Sequence, residues 1–425
     1  MIKSKYKFDT LQIHAGSRPD PSTGARQVPI YQNTAYVFRS ILHAEALFDL
    51  KELGHIYSRL SNPTVSVLQE RIAALEGGIG AVCTSSGHAA QILALFPLMK
   101  PGDNLIASNR LYGGTIQQFS NTIKKFGWKA KFVDIDNLDL IKRSIDKNTK
   151  AIFCESISNP GGHISNLIEI GKLSKEYKIP FIVDNTAASP YLCNPFKFGA
   201  DLIVHSTTKY MSGNGTSLGG AVVDSGNFNW SETKKFKSLS DKEPGYHGLK
   251  FHDTFGPYAF IIYSIAVSLR DLGMTMAPQN AFQTLLGLET LSLRMKKHVS
   301  NAIKIAKWLE KHPKIEKVTY AGLKSSDYAA TAKLILPKGA GALFTISLKE
   351  GYEACLKMID KLNIFSHVSN LGDTRSLIIH PASTVHRQLT NEQQINAGLA
   401  RNVIRLSIGI EDPTDLIKDL KQALE

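Results

Sequence analysis

A lysine preceded by hydroxyls at the end of a short apolar run is the first feature of this chain that could do chemistry. Leu202, Ile203 and Val204 form the run; His205, Ser206, Thr207, Thr208 and Lys209 follow it, and glycines come next. Apolar, β-branched residues in such a run predict a buried strand. Ligands of open α/β sheets sit outside the carboxyl ends of the strands, so the point where the run turns polar faces a crevice. There two of the hydroxyls just before Lys209 could hold an anion such as phosphate. Lys209, its pKa lowered by desolvation and nearby positive charge, could form an imine with an aldehyde. Together these describe a pyridoxal phosphate site; a lysine that simply closes a strand is the competing reading of these residues alone.

Four other apolar runs end in the same way. Residues 81–83 lead to Ser85, Ser86, Gly87 and His88, and residues 105–107 lead to Tyr112, Gly113 and Gly114. Residues 152–154 lead to Glu155, Asn159 and Pro160, and residues 181–183 to Asp184 and Asn185. A longer helix-like segment follows these exits, which is the βαβ rhythm of a mainly parallel sheet. Small residues and a glycine opening the helix after Ser86 leave backbone N–H groups free, a natural phosphate seat. Singly, Tyr112 could be core, Asp184 a turn cap and Asn159-Pro160 ordinary turn chemistry. Five exits facing one crevice point to a site.

The remaining elements are expected to frame that crevice. Residues 1–60 lack periodicity over most of their length but carry Tyr31, Tyr36, Phe38, Phe48 and Tyr57, too aromatic for a disordered tail, so they predict an arm lying on another surface, of this subunit or a neighbour. Asn62 and Pro63 open a helix that Gly77-Gly78 stops. Residues 225–257, polar and broken by Gly and Pro, predict a long surface excursion near the site or a subunit contact, and the apolar spacing from Pro278 to Leu309 predicts one long helical stretch. Strands at 318–320, 342–348, 376–379 and 403–407, a helix around Cys355 and a last helix after Asp412 complete a smaller α+β unit. The expected division is therefore an arm over 1–60, a large domain over 61–275 and a smaller one over 276–425. Gly213-x-Gly215-xxx-Gly219 has the wrong spacing for a dinucleotide loop and runs into a strand.

Composition narrows the function classes. The 425 residues carry a net charge of +13, yet the basic residues form no run of five or six, so an anionic cofactor and small anionic substrates account for them better than nucleic acid. The four cysteines, Cys83, Cys154, Cys193 and Cys355, are far apart without metal spacing and predict reduced, buried thiols. Neither a signal-peptide core nor a membrane-spanning run is visible, so a cytoplasmic protein without membrane partners is expected.

With these residues in hand, the chain resembles the Cys/Met-metabolism family of pyridoxal-phosphate enzymes and, within it, the O-acetylhomoserine sulfhydrylase branch. Matching stretches run from Thr10-Leu11-Gln12 through Tyr57-Ser58-Arg59, Ser86-Gly87-His88, Leu111-Tyr112-Gly113-Gly114 and Val183-Asp184-Asn185 to His205–Lys209, Leu371-Gly372-Asp373, His380-Pro381 and Arg405-Leu406-Ser407. The resemblance implies the type I fold of PLP-dependent transferases, an α/β architecture whose mostly parallel sheet is flanked by helices, with a smaller C-terminal α+β domain. It implies pyridoxal 5'-phosphate joined to Lys209, with Asp184 at the pyridine nitrogen and Tyr112 stacked on the ring and shuttling protons. Gly87, His88, Ser206 and Thr208 would hold the phosphate and Asn159 would also touch the cofactor. Tyr57 and Arg59 would reach the phosphate of the adjacent subunit in a tetramer built as a dimer of active dimers. Arg405, assisted by Asn370, would take the substrate carboxylate, and no metal is implied.

The activity so implied is γ-replacement on O-acetyl-L-homoserine. Sulfide, or a small thiol such as methanethiol, displaces acetate to give homocysteine or methionine, and the released Lys209 acts as general base. Methionine γ-lyase and cystathionine γ-synthase share the scaffold, and a non-catalytic PLP-binding regulator is the reading from another class. The γ-lyase pattern places a cysteine where this chain has Gly114, and many sulfhydrylases have histidine where it has Asn214.

Overall fold

The computed structural model describes residues 6–387, 394 and 398–425. Residues 1–5 of the expected arm, and 388–393 and 395–397 of the expected smaller domain, lie outside them. Seven strands form the larger sheet: β1 (Gly80–Thr84), β2 (Asn104–Ser108), β3 (Lys129–Val133), β4 (Thr149–Glu155), β5 (Phe181–Asp184), β6 (Leu202–His205) and β7 (Gly220–Asp224). Their order is β1-β7-β6-β5-β4-β2-β3, parallel throughout except at β7, which runs antiparallel to both neighbours.

Alternation along each strand explains why these runs must lie inside. Val82, Leu105, Ala107, Phe153, Ile182, Leu202, Val204 and Val222 belong to one apolar cluster, whereas Cys83, Ile106, Ile152, Cys154, Phe181, Val183, Ile203 and Val223 belong to another. Successive side chains point to opposite faces, so the two clusters are the two sides of one sheet. Each fully buried Leu, Ile or Phe contributes about 1.5–3 kcal/mol, and this sheet carries many. Rigid strands therefore aim the residues at their exits.

The smaller sheet has the order β10-β11-β12-β9-β8, from β8 (Ile315–Thr319), β9 (Leu343–Leu348), β10 (Ser366–His367), β11 (Leu377–Ile379) and β12 (Val403–Ser407). Helices Tyr352–Lys361 and Pro413–Leu424 cover it, the latter capped by the Asp412 side chain on the Thr414 N–H. Strand β12 lies centrally between β11 and β9, and alternation sends Ile404 and Leu406 into the core while Arg405 faces the other way.

Three expectations need correction. Residues 6–60 contain two helices, Phe8–His14 and Ile41–Phe48, too short for periodicity to reveal. The 225–257 segment is more than a surface excursion: most of it is exposed or half-buried, but Trp230, Phe236, Leu239 and Phe251 are fully buried and anchor it in the second cluster. The helical stretch from Pro278 breaks at Thr290 into Pro278–Glu289 and Leu291–Leu309. Asn62 caps helix Pro63–Glu76 through the Thr64 N–H, and Gly77 ends it in the left-handed conformation.

Candidate active site

Where the carboxyl ends of the large sheet meet residues 369–371 and Arg405 of the smaller unit lies a cavity of about 250 Å³. Its walls include Gly87 and His88 after β1, Tyr112 after β2, Glu155 and Asn159 at β4, Asp184 at β5, Ser206, Thr208 and Lys209 after β6, and Asn370 and Arg405 of the smaller unit. The five exits do converge.

Lys209 is buried enough that its amine is pulled down to about 8, with the nearby Arg405 charge adding to the effect. Its Nζ donates to Asn370 Oδ1 at 2.6 Å. The turn carrying it is pinned from below: buried Arg294 donates to the carbonyls of Tyr210 at 2.8 Å and Gly287 at 2.6 Å. Gly213 closes that turn at φ +78°, and a Cβ there would lie 2.3 Å from Arg294 Nη1. On the other face of β6, His205 Nε2 sits 2.6 Å from Glu76 Oε1, both fully buried, which fastens the strand to helix Pro63–Glu76.

Arg405 is almost fully buried and its two partners are neutral oxygens. Nη1 donates to Asn159 Oδ1 at 2.9 Å and Nη2 to the Asn370 carbonyl at 2.6 Å, while buried Nε has no partner. Burial pushes the guanidinium down to about 10. A buried guanidinium with no carboxylate beside it is costly, and an anion entering the pocket would relieve it.

Asp184 has its carboxylate fixed by the Thr186 N–H at 3.0 Å and by Gln91 Nε2 at 3.3 Å. Helix Gly87–Leu95 begins at the cavity wall, capped by Ser86 on the Ala89 N–H, so its first N–H groups lack intrahelical acceptors. A Cβ on Gly87 would come within 2.7 Å of Ser206 Cβ, so only glycine leaves this seat open. The Ser206 N–H is bonded to Thr186 Oγ1, and the Thr208 hydroxyl is shared with the Gly219 backbone. The His88 ring, driven towards its neutral form by burial, stacks on Tyr112 with centroids 5.8 Å apart, and its buried Nε2 has no partner.

An anion seat at a helix start, a desolvated amine, a fixed carboxylate and a flanking aromatic ring fit pyridoxal phosphate, and the open Gly87 cradle and orphaned His88 Nε2 leave polar capacity for it. Tyr57 and Arg59 are not in this pocket; both are exposed, with the guanidinium 5.2 Å above the tyrosine ring. Asn214 turns its amide to the Ser212 carbonyl. Sequence reading gave no role to Gln91 or Glu155, although a polar residue inside the apolar stretch 89–95 and a carboxyl at the end of an all-buried strand were both visible.

Comparison with known proteins agrees. An O-acetyl-L-homoserine sulfhydrylase of Leptospira meyeri is 45% identical, with 99% of this chain and 97% of that protein covered. Homocysteine synthase of Schizosaccharomyces pombe is 45% identical with 98% of each covered. A Campylobacter jejuni crystal structure, described as an O-acetylhomoserine (thiol)-lyase with N'-pyridoxyl-lysine-5'-monophosphate, superposes with a TM-score of 0.96 at 46% identity, covering 99% of this chain and all of that one. Residues 9–425 match the family described as Cys/Met metabolism PLP-dependent enzyme, and with that span, that fold and a pocket of the matching chemistry, the chain belongs to the Cys/Met-metabolism family of PLP-dependent enzymes.

Proposed function

We propose that the pocket around Lys209 carries out γ-replacement on O-acetyl-L-homoserine with sulfide or a small thiol, giving L-homocysteine, or methionine from methanethiol, together with acetate. The observation that carries this reading is the pairing, in one cavity, of a desolvated amine with a buried guanidinium lacking a carboxylate partner. Full-length similarity to O-acetylhomoserine sulfhydrylases supports it.

In this reading Gly87, His88, Ser206 and Thr208 hold the cofactor phosphate, Asp184 meets the pyridine nitrogen, and Tyr112 and Asn159 flank the ring. Pyridoxal phosphate, when bound, supplies an electron sink conjugated to the substrate α-carbon. Arg405 takes the substrate carboxylate as a bidentate pair and so fixes the α-carbon. Lys209, oriented by Asn370 Oδ1, accepts the α-proton as general base, its lowered pKa matching that task. Gln91 and the Thr186 N–H hold Asp184 in place. Overall the γ-carbon–oxygen bond breaks, acetate leaves with the electron pair, and hydrosulfide supplies the new carbon–sulfur bond.

Acetate release is expected with O-acetylhomoserine plus sulfide, and little product from methionine alone or from O-succinylhomoserine plus cysteine. Dominant α-ketobutyrate from methionine would make the protein a γ-lyase instead, dominant cystathionine from the third mixture a cystathionine γ-synthase, and no turnover in any mixture a non-catalytic binder.

Tyr57 and Arg59 are proposed to complete the site of a neighbouring subunit. Their exposure away from this pocket supports that, as do Val37, Ile41 and Leu42 of the arm, 98%, 79% and 75% exposed. A tetramer of two such dimers is the expected assembly, in a cytoplasmic enzyme; among the described residues no helix is long and apolar enough to cross a membrane. Mixing inactive Lys209→Ala and Arg59→Ala chains should restore about a quarter of wild-type activity, since half of random dimers are mixed and each has one intact site. No recovery after verified subunit exchange would confine the site to one chain.

A further inference from the structure

Glu155 closes strand β4 at the cavity wall, buried, in parallel register with Asp184 of β5. Its two oxygens are used separately: Oε1 accepts the Tyr112 N–H at 2.7 Å and Oε2 accepts the Asn159 N–H at 2.8 Å. Those amides belong to different strand exits. Only a carboxylate offers two acceptor oxygens and no donor, so it alone meets two converging N–H groups without a clash of donors. Burial, and then the Asp184 charge, push the Glu155 carboxyl well above the usual range, and the two N–H bonds oppose that push.

The bond at Asn159 leads further. Asn159 Oδ1 accepts from Arg405, Arg405 donates to the Asn370 carbonyl, and Asn370 Oδ1 accepts from Lys209. One hydrogen-bonded line thus runs from Tyr112 through Glu155 to the substrate clamp and the amine.

We propose that Glu155 is a positioning residue that sets the spacing between Tyr112 on the cofactor side and the Asn159–Arg405 pair on the substrate side of the cavity. The inference rests on the roles proposed above for Tyr112, Asn159 and Arg405. It makes Glu155 more than a satisfied strand end, because its removal should disturb two exits and the clamp while leaving the sheet intact.

Glu155→Gln keeps the shape but turns an amide donor towards one of the two N–H groups. Site-resolved hydrogen exchange on the full chain, with and without pyridoxal phosphate, should show the Tyr112 or Asn159 amide exchanging at least about tenfold faster, with Phe153 and Ile182 unchanged. kcat should fall at least about tenfold and KM for O-acetylhomoserine should rise, while Glu155→Asp, which keeps both acceptors, should recover part of the loss. Equal acceleration at Phe153 and Ile182, or unchanged Tyr112 and Asn159 amides with kcat within about twofold, would overturn the proposal. Should the variant fail to fold, wild-type exchange decides: protection of both amides supports it, and loop-like exchange contradicts it. Absence of any γ-replacement by wild type would instead fail the functional reading, and the exchange result would stand apart from that.

Discussion

Lys209→Ala should fold, bind pyridoxal phosphate only reversibly, and lose turnover by at least about 10³-fold, because it removes both the covalent tether and the general base. The fold should survive because no carboxylate is left unpaired: the amine donates to a neutral amide oxygen, and the turn is held by Arg294 and by β6 packing, neither of which the substitution touches. Spectroscopy separates the outcomes. Wild type should show visible absorbance that survives gel filtration, and the variant should lose it, with matching far-ultraviolet circular dichroism. Full activity in the variant would remove Lys209 from the chemistry. A related pH dependence follows from the amine being pulled down to about 8. Capture of pyridoxal phosphate by the cofactor-free protein should quicken as pH rises to about 8 and level off above it, since only the neutral amine attacks. An ordinary lysine would keep accelerating towards pH 10.5. For the cofactor-free protein the linkage has a fixed sign: between pH 8 and 10.5 the unfolded chain binds the extra proton, so this group's contribution makes stability rise with pH there.

Arg405→Lys should raise KM for O-acetylhomoserine by about 10–100-fold, the loss of one charge-assisted bond of a bidentate pair worth about 1.5–3 kcal/mol. A lysine in that strand position presents a single ammonium and could not reach the Asn159 and Asn370 oxygens and a carboxylate together. The lysine-bound absorbance should persist, because Gly87, Asp184 and Lys209 themselves are kept and a positive charge remains beside Lys209. Steady-state kinetics over a wide substrate range tests this. An unchanged KM with lost cofactor would move Arg405 from substrate binding to cofactor binding.

The parts of the site that sequence made legible are those where strand physics does the placing. Leu202–Val204 and Phe181–Val183 could only be buried strands, and their exits then had to meet; Lys209 and Asp184 followed. Arg405 was legible only through the family resemblance at Arg405-Leu406-Ser407. What stayed hidden depends on tertiary partners. Glu155 reads locally as a strand end, and only the fold brings the Tyr112 and Asn159 amides to it from two directions. Thr208 was expected to offer a hydroxyl, and the sequence could not show its competitor: it bonds the Gly219 backbone, eleven residues away, in both directions, so holding the phosphate exchanges the Gly219 carbonyl for a phosphate oxygen. The 225–257 segment has a polar average that conceals Trp230 and Phe236, whose burial is decided by helix Ala259–Tyr263 packing over them. Ser369 and Asn370 both line the pocket, and it is the Asn370 side chain and carbonyl that join Lys209 to Arg405.

Borohydride reduction of the purified protein followed by peptide mapping tests the central claim most directly. The pyridoxyl-phosphate mass should appear on the peptide containing Lys209 and on no other. Modification at a different lysine, or none after incubation with excess cofactor, would contradict the assignment of this pocket.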